Sequence, residues 1–263
     1  MQEINSKTAM QELCEEYRRN NTISKEEYTR HRVKRGLRNE DGTGVMAGLT
    51  HVCNVHGYLI DDGDKVPDKG RLTYRGISVE DIAAGCEQED RFGFEEVAWL
   101  LIFGKLPTKK QFDRMCSLLY DNRELPEYFP EDMIIKAPSK NIMNKLARSV
   151  LALYSYDDNP DDQSLENNMR QSIALIARMP SIMSYAYQVK RRHFDRESMF
   201  FHPYKPGHCT AEAILNALRP DKAFTREEAR LQELCMVLHA EHGGGNNSTF
   251  TTRVLTSAGT DIY

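Results

Sequence analysis

The chain has 263 residues, of which 40% are hydrophobic and 28% charged, and its formal net charge is −4. This balance is ordinary for a soluble globular protein and argues against binding to nucleic acids or to anionic membranes. The six cysteines form no C-x-x-C pair, no apolar run is long enough to span a membrane, and the N-terminus lacks an apolar signal segment. These features together predict a reducing, bacterial-type cytoplasm.

The first elements in chain order are polar. Residues 6–20 are predicted to form a polar, mobile helix, and Ser24-Lys-Glu-Glu27 has the capping-box pattern that begins a second one. A basic run follows over 30–38. We interpret it as a solvated segment, with attraction of a phosphorylated ligand as the alternative.

A small β-sheet is predicted next. Residues 48–60 and 71–75 are rich in β-branched and aromatic side chains and flank a polar stretch over 61–70. We therefore expect two or three strands here, joined by a polar loop, and no other β structure in the chain.

The rest of the chain has helical patterns. Pro180 should kink or interrupt the longest helix, Asn159-Pro160 fits its N-terminus, and Trp99 is expected in the core. Helices are predicted over about 78–85, 94–103, 108–122, 141–156, 163–192 and 211–218. The sequence therefore predicts a mostly α fold with a small N-terminal β-sheet.

A last helix is predicted to begin at the capping box Thr225-Arg-Glu-Glu228. Its apolar residues recur at helical spacing in one stripe, which comprises Leu231, Leu234, Cys235 and Leu238. At about 100° per residue, His242 falls on this stripe and should point into the interior, while His239 lies about 60° to one side. Three glycines then end the helix and would let a ligand approach the backbone closely.

The paired imidazoles of His239 and His242 admit three interpretations. An imidazole at such a helix end can donate a charge-assisted hydrogen bond to a carboxylate or polarise a ketone. It can equally be a hydrogen-bonded core histidine or a cation near a helix C-terminus. The two histidines could also share a metal ion, although the spacing supplies no third ligand and His-x-Glu-His is not a metalloprotease motif.

Three motifs together resemble the citrate synthase family. The run Leu238-His-Ala-Glu-His-Gly-Gly-Gly-Asn-Asn-Ser-Thr-Phe-Thr-Thr-Arg-Val254 is similar to its His-Ala-Asp-His and Asn-x-Ser-Thr-Phe segments. The segments Gly70-Arg-Leu-Thr-Tyr-Arg-Gly-Ile-Ser-Val-Glu-Asp-Ile82 and Phe94-Glu-Glu-Val-Ala-Trp-Leu-Leu-Ile-Phe-Gly-Lys-Leu-Pro-Thr108 resemble two earlier motifs of the family, in the same order. The resemblance covers about residues 45–263.

The resemblance implies a fold and an activity. Residues 45–263 would be part of a citrate synthase-like helical large domain without the small domain, preceded by an N-terminal helical and basic arm over 1–44. The parent protein, meaning the full-length protein of which this chain would be a part, would condense acetyl-CoA with oxaloacetate to give citrate and CoA. It would have no tightly bound cofactor and no metal. Family dimers imply a homodimer packed through helices that resemble 141–156 and 163–192.

The resemblance also implies site residues. His242 matches a histidine of the oxaloacetate pocket, and His239 and Asn246 match neighbours that shape it. Ser248 and Thr249 are expected to cap the next helix. Glu241 projects about 100° away from His242 on a helix, so we expect it to be a structural acid rather than the catalytic one.

The chain departs from the family pattern at three places. Glu241 stands where aspartate is usual, and Asn141-Ile-Met143 stands where His-Pro-Met is usual. The family's Gly-Pro-Leu-His-Gly-Gly-Ala-Asn loop, with its proton-transferring histidine, has no counterpart in these residues. We therefore expect a fragment or a naturally short relative that is inactive alone. A 2-methylcitrate synthase and a non-catalytic helical dimerisation module remain alternatives.

Overall fold

A computed structural model describes residues 7–31, 49–243 and 246–263 of the chain. These residues form ten α-helices: α1 Lys7–Asn20, α2 Lys25–Arg30, α3 Val79–Gln88, α4 Phe94–Phe103, α5 Lys109–Asp121, α6 Ile142–Leu153, α7 Leu165–Lys190, α8 Thr210–Leu218, α9 Arg226–Leu238 and α10 Asn247–Ser257. Short π-helical turns lie at Pro130–Ile135 and Arg191–Asp195, and a 3-10 turn at Tyr154–Tyr156. In this part of the chain, no helix is long and apolar enough to cross a membrane.

The only sheet in the described ranges has three antiparallel strands in the order β1, β2, β3, which are Cys53–Asp61, Asp64–Tyr74 and Ile77–Ser78. The loop predicted over 61–70 is wrong, because β2 begins at Asp64 and pairs with β1 from there on. The turn is only Asp62 and Gly63, whose φ values are +46° and +89°. Positive φ at both turn positions matches the twist of the two strands, so polar turn formers here make a tight hairpin.

The chain divides into two compact units. The first contains the described residues of Met1–Cys14, Thr108–Met236 and Asp261–Tyr263, and the second those of Glu15–Pro107 and Val237–Thr260. A buried hydrophobic cluster in the first unit contains Phe129, Ile134, Leu153, Ile182, Ala186 and Val189. A cluster in the second unit contains Cys53, Tyr74, Val79, Ile82, Val97, Leu100 and Val237. Two of the three motifs that carry the family resemblance, 70–82 and 94–108, therefore supply most of the second cluster.

Local signals for helix ends are confirmed. Ser24 forms the predicted capping box, and Thr225 exchanges the predicted pair of hydrogen bonds with Glu228. Thr108 forms another capping box at the start of the helix predicted over 108–122. The helix α4 ends at Gly104, whose φ of +82° is the left-handed conformation that glycine adopts at little cost. Trp99 lies in the core with 1% of its surface exposed, as predicted.

Two helices differ from their predictions. The helix α1 was predicted to be polar and mobile, yet it buries Met10, Leu13 and Cys14, because these residues share one face at helical spacing. The helix α7 begins at Leu165, near the predicted residue 163, but its cap is Ser164, whose hydroxyl accepts from the backbone N–H of Asn167, and not Asn159. It also continues without a break through Pro180, which is buried together with Ser181 and Ile182, so packing holds a helix that lacks one backbone donor.

Some predictions fall outside the described residues. The boundary predicted between 1–44 and 45–263 lies within 32–48, as does the basic run from residue 32 onward. Both stay predictions.

Candidate active site

The segment after α9 is arranged by its own acidic side chain. The helix α9 ends at Leu238, and residues 239–243 are not helical. One carboxylate oxygen of Glu241 accepts hydrogen bonds from the backbone N–H groups of His242 and Gly243, both at 2.9 Å. The carboxylate thus stabilises backbone donors that the helix no longer satisfies, in agreement with the structural role predicted for Glu241.

Tyr74 of β2 fixes the same segment from the other side. Its hydroxyl donates to the carbonyl oxygen of Val237 at 2.7 Å and lies 3.1 Å from that of Glu241. The side chain is fully buried, and this burial raises the pKa of the phenol, which keeps the proton on the donor. The tyrosine of the Leu72-Thr-Tyr-Arg motif therefore holds the backbone on both sides of His239.

Gly243 brings the segment against β1. Its φ is +93°, and a Cβ at this position would lie 3.3 Å from Cγ2 of Val55. Glycine is favoured on both counts, because a side chain would be strained in this backbone conformation and would be close to the Val55 side chain.

The three predicted site residues lie around a single cavity. His239, His242 and Asn246 all line a space of about 540 Å³ beside the end of α9 and along α10. This volume is in the usual range for small-molecule sites. The structure thus brings these three residues together, while their binding of a ligand stays a prediction.

The predicted orientation of His242 is wrong. Its side chain is exposed and borders the cavity instead of pointing into the interior. The stripe on which it was placed is also exposed, with 65% of Leu231, 40% of Leu234 and 45% of Leu238 accessible. The helix buries another face, which contains Ala229, Glu233 and Val237. A helical projection cannot describe His242, because α9 has already ended at Leu238.

The cap of α10 is Asn246, and not Ser248 or Thr249 as predicted. Its side-chain oxygen accepts from the backbone N–H of Thr249 at 2.9 Å. Its amide nitrogen donates to the carbonyl of Gly243 and to the hydroxyl of Thr249, both at 2.7 Å. Asn246 therefore shapes the cavity wall by joining the segment after α9 to the start of α10.

Sequence reasoning missed one face of α10. Thr249, Thr252, Arg253 and Thr256 all line the cavity. Their spacing of three, one and three residues puts them on one side of a helix, a signal that was available in the sequence. Arg253 lies within the quoted family motif but received no role there.

The metal interpretation of the two histidines finds no ligand set in the described ranges, where no group of three or more His, Cys, Asp or Glu side chains could hold an ion.

Comparison with known proteins assigns the family. A family model described as citrate synthase, C-terminal domain, matches residues 40–263. The chain belongs to the citrate synthase family. The resemblance carried by the three sequence motifs is therefore confirmed.

Curated relatives include two kinds of enzyme. A citrate synthase of Mycolicibacterium smegmatis is 32% identical over 239 residues, and the match covers 88% of this chain and 54% of that protein. A 2-methylcitrate synthase of Mycobacterium tuberculosis is 30% identical over 237 residues, with 88% and 51% covered. The chain thus spans about half the length of the relatives that it matches.

Solved structures agree on the fold. Citrate synthase from Pyrobaculum aerophilum superposes with a TM-score of 0.68 at 24% identity, covering 88% of this chain and 55% of that one. A ternary complex of the Thermoplasma acidophilum enzyme with carboxymethyl coenzyme A and oxaloacetate gives 0.67 at 22% identity, with 82% and 50% covered. The mostly α, citrate synthase-like fold is therefore confirmed.

Proposed function

We propose that the cavity between the end of α9 and α10 binds oxaloacetate, and that the parent protein condenses it with acetyl-CoA to give citrate and CoA. The observation that carries this proposal is the pair of imidazoles, His239 and His242, on one cavity in a chain of this family. His242 would donate to a carboxylate or to the ketone, and the ring of His239 would form the neighbouring wall.

The condensation itself makes further demands. An enol must form at a weakly acidic methyl group, which requires a general base as well as donors to the ketone oxygen. Glu241 is the only carboxylate among the described residues of this cavity, and one of its oxygens already accepts two backbone hydrogen bonds. We therefore expect the 263-residue chain to bind oxaloacetate without condensing it with acetyl-CoA.

Binding and turnover are tested on the same purified chain. Calorimetric titration with oxaloacetate should give saturable binding, and His242→Gln should weaken it about tenfold or more, the loss of one charge-assisted hydrogen bond. His56→Gln is the matched control, because His56 pairs with Asp68 on the β1–β2 hairpin and does not line the cavity. Equal affinity of His242→Gln and the original chain would refute the site. Thiol release from acetyl-CoA in the presence of oxaloacetate would refute the expectation that this chain does not catalyse the condensation.

A second candidate is 2-methylcitrate synthesis, in which propionyl-CoA replaces acetyl-CoA. The Mycobacterium tuberculosis 2-methylcitrate synthase supports it, because its 30% identity is close to the 32% of the citrate synthase relative. The parent protein, assayed with both acyl donors under the same conditions, separates the two. A higher kcat/KM with propionyl-CoA would favour the second candidate.

We also propose that the chain forms a homodimer through α6 and α7. Both helices expose large apolar side chains: Met143 and Leu151 on α6, and Met179 and Tyr187 on α7. Light scattering should give twice the monomer mass, and Met143→Lys with Leu151→Lys should give the monomer mass. Leu106→Lys, at another exposed apolar residue, should stay dimeric. If the unsubstituted chain is a monomer, the proposed homodimer is wrong. If it is a dimer that binds no oxaloacetate, the result favours a non-catalytic dimerisation module.

A further inference from the structure

Arg253 lines the cavity and has no charged partner among the described residues. It lies on α10 one turn from Thr249 and Thr256, on the side that lines the cavity. Its guanidinium makes no hydrogen bond or ion pair with any residue in the described parts of the chain. Arg91 and Arg114, which are half-buried, pair with carboxylates.

The hydrogen-bond donors around the cavity suit an anionic ligand. Glu241 is the single carboxylate among its described lining residues, and one oxygen of that side chain is bonded to two backbone N–H groups. Besides Arg253, the described lining residues offer imidazole, hydroxyl and amide groups. A planar guanidinium presents paired donors that match the two oxygens of a carboxylate, and it stays charged at every physiological pH.

We infer that Arg253 is a specificity-determining residue which binds the second carboxylate of a dicarboxylate ligand, while His242 engages the other end. This inference rests on the proposed function. It adds that the cavity selects 2-keto dicarboxylates over 2-keto monocarboxylates, because only the former give Arg253 a partner. Arg253 thereby contributes to the choice of substrate and not to the proton transfers.

The test measures discrimination between two ligands. Oxaloacetate and pyruvate share the 2-keto acid group and differ in the second carboxylate. Their dissociation constants are measured for the full 263-residue chain by NMR titration of the histidine ring signals. The original chain should prefer oxaloacetate by about tenfold, the lower end for a charge-assisted hydrogen bond at an exposed site.

Three variants locate the source of this preference. Arg253→Gln should bring the ratio of the two constants close to one, while leaving pyruvate affinity unchanged. Arg253→Lys keeps the charge without the paired donors and should give an intermediate ratio. Arg71→Gln removes the same charge from β2, outside the cavity, and should leave the ratio unchanged.

The possible failures are distinct. An unchanged ratio in Arg253→Gln, or an equal loss in Arg71→Gln, overturns the role of Arg253 while oxaloacetate binding stands. If the original chain binds oxaloacetate and pyruvate equally, the inference also fails, although the keto-acid site remains. Absence of oxaloacetate binding to the original chain overturns the proposed function and this inference together. Far-UV circular dichroism verifies that each variant is folded.

Discussion

Replacing Tyr263 by phenylalanine removes one of the hydrogen-bond donors to the buried carboxylate of Asp157 in the first unit. The phenol donates to Asp157 at 2.6 Å, and the Asp157 side chain is 4% exposed. Three other groups donate to the same carboxylate: the guanidinium of Arg170 at 2.7 Å, the amide of Gln171 at 3.1 Å and the backbone N–H of Asn159 at 2.9 Å. Because these donors remain, the variant still holds a compensated charge.

The expected cost is therefore that of one hydrogen bond to a charged acceptor, about 1.5–3 kcal/mol of unfolding free energy. In a chain of this size, each kcal/mol lowers the melting temperature by about 2–4 °C. The free energy is measured by urea denaturation followed by circular dichroism, and the melting temperature by scanning fluorimetry.

Tyr154→Phe is the matched control, because its hydroxyl donates to Asp161 at 2.9 Å on the surface. The two tyrosine rings form a T-shaped contact, and both substitutions keep it. Tyr154→Phe should leave the urea midpoint unchanged. In an Asp157→Asn background, the cost of Tyr263→Phe should shrink, since the charged acceptor is gone. Equal effects of the two single variants, or an undiminished cost in that background, would refute the reasoning.

Three further predictions concern acid, the glycine beside the cavity and a helix cap. Burial opposes the charge of Asp157, but hydrogen bonds from Tyr263 and Arg170 outweigh it and lower the pKa in the folded chain. The stability that this carboxylate contributes is therefore complete above its unfolded pKa of about 4 and is lost as the pH falls through the folded value. Asp157→Asn should flatten the acid limb of stability against pH. Gly243→Ala should cost about 1–2 kcal/mol, because the residue has positive φ, and it should weaken oxaloacetate binding measured by calorimetry. Thr108→Ala should cost about 1 kcal/mol in urea denaturation by removing the cap of α5.

The parts of the fold that the sequence predicted well depend on near neighbours. The cap at Ser24 and the end of α4 at Phe103, before the left-handed Gly104, are determined within about one turn of helix, so the local pattern suffices. The strand β2 was predicted too short because its polar first half is held by pairing with β1, which no local propensity reports. The cap of α7 was assigned to the wrong residue, since Asn159 and Ser164 are both good caps and Ser164 caps the observed helix.

The exposed stripe of α9 illustrates a different limit. Periodicity identified Leu231, Leu234 and Leu238 as one apolar face, and the structure agrees that they share an exposed side. Periodicity indicates which side chains gain from burial, but not which surface covers them. The buried face of α9 instead contains Ala229, Glu233 and Val237. The wrong orientation of His242 followed from assuming that the apolar face and the inward face are the same.

The position of the two imidazoles depends on a residue far away in the sequence. Tyr74 stands in the quoted Tyr-Arg-Gly motif, yet nothing near it indicates that its hydroxyl meets the carbonyls of Val237 and Glu241, 163 and 167 residues later. One phenolic oxygen thereby fixes the backbone just before His239 and just before His242. Two motifs that are separate in the sequence thus meet in the fold, where the buried Tyr74 hydroxyl holds the backbone that carries the histidines beside the cavity.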